Sequence, residues 1–99
     1  KSEEQQAIED VLATSPRFDI SRTLLSATDL VEILYDTGDV EIPQTRKLNK
    51  ILSDMGFTYL GKVRVGGRYR RFWSMAPDQF IKDGQLDTAA VREYAETDL

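Results

Sequence analysis

Apolar positions recur along this chain at helical spacing first and at strand spacing later. Ala7, Ile8, Val11 and Leu12 stand at i, i+1, i+4 and i+5, one stripe of a helix that runs from Glu3 to Leu12. Ser2 suits its N-cap, and Pro16 stops it by position 14 or 15. Phe18 and Ile20 anchor the connection, and Arg22-Thr23-Leu24-Leu25 reads as a brief strand. Ser26-Ala27-Thr28-Asp29 opens a second helix, with Ser26 as N-cap and Asp29 at N3 as an acidic capping box. Leu25 before the cap and Leu30 in the first turn form the matching hydrophobic staple. Leu30, Ile33 and Leu34 make its inner stripe, and Gly38 ends it.

Asp39 to Ile42 links to a third helix. Pro43 suits its first turn, with Thr45 as an alternative N-cap. Leu48, Ile51, Leu52 and Met55 fall at i, i+3, i+4 and i+7, the clearest amphipathic pattern in the chain. Gly56 is the residue just past its end, followed by the apolar Phe57. The period then changes. Residues 59–65 and 68–75 are rich in β-branched and aromatic residues and flank Gly66-Gly67, which predicts a hairpin. A two-residue turn sets Val65 opposite Arg68, Arg64 opposite Tyr69, Lys62 opposite Arg71 and Leu60 opposite Trp73. Alternation in both runs is imperfect and defines no single core face. Leu60, Val63, Phe72 and Trp73 are the expected buried residues at its base. Pro77 breaks the second strand, Phe80 and Ile81 are expected to cover the core, and Asp87 caps a last short helix with Ala90, Val91 and Tyr94.

Helix, short strand, helix, helix and two-stranded hairpin is the element order of a winged helix-turn-helix. The expected fold class is therefore α+β: a three-helix core, a basic hairpin wing and an extra C-terminal helix. One domain is expected over residues 1–99, with a core at about 3–76 and an extension at 77–99. At 99 residues, 40% hydrophobic and 30% charged, the chain has the make-up of one globular domain. No apolar run reaches the roughly 20 residues of a membrane span. The polar start Lys1-Ser2-Glu3-Glu4-Gln5-Gln6 does not read as a signal peptide, and the first residue is not Met. A cytoplasmic setting and an excised or trimmed domain are the expectations.

Charge sharpens the picture. Residues 1–42 hold 3 basic and 10 acidic side chains, a net −7. Residues 43–75 hold 8 basic side chains and one acid, a net +7, and residues 76–99 carry −4. The whole chain is −4, yet its positive charge sits on the third helix and the hairpin. Segregation of this kind marks either an anionic partner or two solvated faces attracted to each other. With its apolar stripe inward, the third helix turns Gln44, Thr45, Arg46, Lys47, Asn49, Lys50 and Ser53 outward. Arg pairs with guanine and Asn or Gln with adenine in a major groove. Thr45, Lys47, Lys50 and the helix N-terminus suit phosphate oxygens. Asn49 has poor helix propensity and so wants a reason to be there.

On the hairpin, Lys62 opposite Arg71, and Arg64 near Arg68 and Arg70, set like charges across a ladder. That is unfavourable until phosphates offset it. Protection of a sheet edge is the competing explanation for such cations. Tyr69 at the tip is open to base stacking, while Phe72 and Trp73 read as core anchors. The expected DNA-binding set is Gln44, Thr45, Arg46, Lys47, Asn49, Lys50, Lys62, Arg64, Arg68, Tyr69, Arg70 and Arg71. Reversing Arg68 and Arg70 to Glu is expected to abolish binding without unfolding the domain. Six neutralised phosphates give a slope of log K against log salt of roughly −5.

Catalytic chemistry is poorly provided for. There is no Cys and no His, which removes thiolate sites and the usual base and zinc ligand. No Walker or dinucleotide loop is present. The acidic pairs Glu3/Glu4, Glu9/Asp10 and Asp36/Asp39 suit helix surfaces and favourable first turns better than a metal or acid–base site. No catalytic residue, metal or cofactor is expected.

Three segments carry a resemblance: Leu25-Ser26-Ala27-Thr28-Asp29-Leu30, Thr45 through Phe57, and Lys62 through Trp73. Together they are similar to the C-terminal region of phage and prophage primase–helicase replication proteins, the virulence-associated protein E-like family. Phe57 stands where that pattern more usually has tryptophan, and residues 77–99 have no counterpart. The resemblance covers about half the chain. It implies a non-catalytic DNA-binding accessory domain of a replication enzyme, with replication proteins as further partners. Duplex DNA is the favoured partner, with single strand as the other form, and no membrane. The alternative is a protein-interaction winged helix that docks an acidic partner or a neighbouring domain.

Overall fold

The computed structural model describes residues 2–14, 17–37 and 44–97. Three helices form first along the chain. Helix α1 (Glu3–Thr14) begins where the Ser2 hydroxyl accepts the Gln5 amide at 3.1 Å, filling one of the donors that a helix start leaves open. Strand β1 (Leu25–Ser26) runs straight into α2 (Ala27–Thr37). Ser26 caps α2: its Oγ accepts the Asp29 amide at 3.3 Å and donates to the Asp29 carboxylate at 2.6 Å. The box differs from the pattern in one partner, because the Ser26 amide donates to the Asp19 carbonyl instead.

Helix α3 (Thr45–Asp54) starts at Thr45, so Gln44 is the N-cap in place of Thr45. No side chain caps it. Its inner stripe is as the spacing predicts, with Leu48, Ile51 and Leu52 buried. It ends on Gly56, whose φ of 103° lies where side-chain-bearing residues are strained. The Phe57 amide donates to the Leu52 carbonyl and that of Gly56 to the Ser53 carbonyl, the paired bonds of a Schellman end. That turn drives Phe57 into the core. Gly56→Ala is expected to cost about 1 kcal/mol. A Cβ there meets nothing within 4 Å, so the loss is backbone strain alone. The urea midpoint reads it, and an unchanged midpoint means the helix end relaxes freely. Pro16, Gly38, Pro43 and the 39–42 link lie outside the described residues.

Strands β2 (Thr58–Val65) and β3 (Arg68–Ser74) form the hairpin. Gly66 and Gly67 both have positive φ, 63° and 85°, which is the type I′ turn. The register matches the pattern from Val65/Arg68 through Arg64/Tyr69 to Lys62/Arg71. Below that it departs. A bulge between Tyr59 and Gly61 sets Tyr59, and not Leu60, opposite Trp73. Gly61 carries it at φ 139°, where a Cβ would press on Leu86 at 3.3 Å. β1 pairs with the free edge of β3, giving the antiparallel order β1-β3-β2.

This sheet is buried on both faces at its base. Trp73 points into the core shared by α1, α2 and α3, with Ile8, Leu30, Leu48 and Phe57. Phe72 points the other way, into a second core with Leu24, Val63, Val65, Phe80 and Val91. The C-terminal segment builds that second core. A 3₁₀ turn (Pro77–Phe80) leads into a small hairpin of β4 (Ile81–Lys82) and β5 (Gln85–Leu86). Asp87 then caps α4 (Thr88–Glu96), its Oδ1 accepting the Ala90 amide at 3.1 Å. Tyr94 meets Phe80 and Phe18 edge-on, at 5.6 and 5.4 Å between ring centres. Phe80 is buried as expected, whereas Ile81 stays exposed. The fold is α+β, with four helices and small antiparallel sheets among the described residues. No helix among them is long and apolar enough to cross a membrane.

Candidate nucleic-acid interface

The amphipathic stripe of α3 fixes what that helix shows to solvent. Gln44, Thr45, Arg46, Lys47, Asn49, Lys50 and Ser53 are all exposed. Two of its cations have internal partners. Lys47 pairs with Glu4 of α1, and that contact, chiefly the hydrogen bond from Lys47, holds the Glu4 carboxyl below its ordinary pKa. Lys50 pairs with Asp54 one turn on, at 3.1 Å. Both ends of the Lys50 pair are mostly in solvent, a geometry worth only about 0.3–0.5 kcal/mol. Lys50 is therefore readily released to another anion. The Gln44 side chain makes no capping bond at the start of α3.

The hairpin sorts its basic residues by face. Lys62, Arg64, Tyr69 and Arg71 share the face that, further down, buries Trp73 among the helices. The Lys62/Arg71 pair sets two cations side by side across the ladder, and neither has a carboxylate partner among the described residues. The Arg64 guanidinium lies 6.0 Å over the Tyr69 ring, at the outer limit of a cation–π contact.

Arg68 and Arg70 stand on the opposite face and are engaged elsewhere. Arg70 Nη1 donates to Asp29 Oδ2 at 2.5 Å and lies 3.7 Å from Asp19 Oδ2. Its Nε donates to the Val65 carbonyl at 3.1 Å, bracing the hairpin tip. Arg68 reaches Asp29 Oδ1 at 3.1 Å and Glu32 Oε1 at 2.8 Å. Arg17 forks onto both oxygens of Asp19 at 2.8 and 2.7 Å. Burial pushes the Asp29 carboxyl up. Hydrogen bonds from Ser26 and Arg70, with the charges of Arg70 and Arg17, outweigh it and leave the pKa below the ordinary value. These residues pin the hairpin to the start of α2.

Ten of the twelve sequence-predicted residues therefore lie on exposed α3 and its N-cap or on the helix-side face of the hairpin, Lys47 among them paired to Glu4 of α1. This geometry replaces the expectation that Arg68 and Arg70 can be reversed without unfolding by an expected loss of stability, since a glutamate at position 70 removes the guanidinium that Asp29 and Asp19 share and adds a further carboxylate on their side. The sequence gives no local sign of this pairing: the partners are 39 and 41 residues apart. Among the described residues no group of three or more His, Cys, Asp or Glu side chains is placed to hold a metal ion. No protein-family model, curated protein or solved structure matches the chain.

Proposed function

We propose that this chain is a winged-helix DNA-binding module, with α3 as the reading helix and the β2–β3 hairpin as the wing. One observation carries the reading: exposed Lys62 and half-buried Arg71 stand opposite each other across the ladder, and neither pairs with a carboxylate among the described residues. Like charges directly across a ladder destabilise it, and phosphate oxygens between them relieve that repulsion. Arg46 and Asn49 present base-reading groups from α3, and Lys50, Lys62, Arg64 and Arg71 bind the backbone. Arg68 and Arg70 position the wing and do not touch DNA. The likeness of Leu25 through Trp73 to phage-type primase–helicase C-terminal regions supports a place as a non-catalytic accessory domain of such a replication enzyme.

Lys50, Lys62, Arg64 and Arg71 are four backbone-binding cations. If each neutralises one phosphate, log K falls with log salt at a slope of about −3.6. Fluorescence anisotropy of a labelled duplex of about 20 base pairs, roughly two helical turns, measures it at several salt concentrations. Absence of binding at low salt overturns the reading. It then favours the second one, an acidic protein partner on the same surface. That alternative has its own support, since carboxylates already sit against basic residues of both elements, Glu4 on Lys47 and Glu32 on Arg68.

A further inference from the structure

Resting on the DNA-binding reading above, we infer that the helix-side face of the wing also binds single-stranded DNA, with unpaired bases stacked on Tyr69 and Tyr59. Tyr69 is 66% exposed and Tyr59 46% exposed, and both lie on the face that carries Lys62, Arg64 and Arg71. Neither ring is needed to fill a core: the two hydrophobic cores are complete without them. The hairpin that carries them is braced. Tyr59 leans on Trp73, with ring centres 5.1 Å apart, and Trp73 is locked among the three helices. At the other end Arg64 lies over Tyr69, and the hairpin behind is held by the second core and by the Arg70 brace to Val65.

The chemistry separates the two forms of DNA. In a duplex each base already has its faces covered by neighbours, so an exposed tyrosine has nothing to stack on. In a single strand those faces are open, and every base offers one regardless of sequence. Tyr69 and the Tyr59/Trp73 pair stand four positions apart along β3, roughly 13 Å at strand rise. Lys62 and Arg71 lie between them, where the backbone joining two stacked bases must pass. The cations serve phosphates of either form, and the rings serve only unpaired bases.

Two probes and two variants of the full chain test it by anisotropy: an oligothymidine of about 12 nucleotides, within the site size of single-strand modules, and the duplex used above. Tyr69→Ala is expected to weaken oligothymidine binding roughly tenfold, the scale of one lost base stack. Tyr69→Phe, which keeps the ring, is expected to bind as the unaltered chain does. Duplex affinity should move less than about twofold in both, since neither variant removes a phosphate contact. Equal loss on both probes overturns the inference, as does a Tyr69→Ala protein that binds oligothymidine normally. Unaltered protein that binds duplex but not oligothymidine overturns it while leaving the DNA-binding reading intact. Binding to neither probe overturns both.

Discussion

Asp29→Ala is expected to destabilise the domain by about 3 kcal/mol, the low end of the range for removing one partner of a buried ion pair. The Asp29 side chain is 7% exposed and receives Arg70 at 2.5 Å, Arg68 at 3.1 Å and the Ser26 hydroxyl at 2.6 Å. Its removal leaves Arg70, only 16% exposed, facing Asp19 alone at 3.7 Å. It also takes one bond from the α2 cap. For a domain of this size 1 kcal/mol moves Tm by about 4–8 °C, so a fall of about 12 °C or more is expected in thermal circular dichroism. Glu32→Ala is the control. Glu32 touches the same Arg68, but both its side chain (55% exposed) and that of Arg68 (43%) are wet, so it should cost under about 1 kcal/mol. Equal effects from the two variants would show that burial is not what makes this cluster matter.

Acid should reproduce the Asp29 effect. A carboxyl whose folded pKa is below its unfolded one binds fewer protons when folded, so it adds stability above the unfolded value, about 3.9 for Asp. That contribution is lost as pH falls from there through the folded value. Stability between about pH 5 and pH 2 should therefore drop more steeply in the unaltered chain than in Asp29→Ala.

Local signals were readable in the sequence, and distant ones were not. Ser26, Gly56, Asp87 and the Gly66-Gly67 turn act on residues within a few positions, and each acts in the structure as its pattern predicts. Asp83-Gly84 is a signal of the same kind: both residues have positive φ in the β4–β5 turn, but strands of two residues leave no alternation to draw attention to it. The hairpin face resisted assignment because Trp73 and Phe72 enter different cores, which erases the period of two. The bulge at Leu60 shifted one pair for a related reason, since an inserted residue breaks alternation locally. At the candidate site, the outward face of α3 followed from the apolar stripe alone. The division of the hairpin arginines did not, because a strand shows which residues share a face but not what waits opposite them. Arg68 and Arg70 differ from Arg64 and Arg71 only in parity along the hairpin and in the carboxylates that α2 brings to them.

That parity makes Lys62→Glu the most informative single change on the hairpin, because stability and the proposed DNA binding should move in opposite directions. Lys62 faces Arg71 across the ladder, so the substitution replaces a repulsive pair with an attractive one. Cross-strand charge pairs are worth about 0.2–1 kcal/mol, which raises Tm by a few degrees in a domain of this size. In the proposed DNA complex the same change removes one phosphate contact and sets a negative charge against the backbone. Duplex affinity should fall at least tenfold at low salt, with the salt slope reduced by about 1. If Tm rises and affinity stays unchanged, Lys62 guards an exposed strand edge instead, and the phosphate contacts come from the other cations of the proposed interface. If both fall together, Lys62 supports the hairpin itself, and the repulsion across to Arg71 is not the feature that marks this face for DNA.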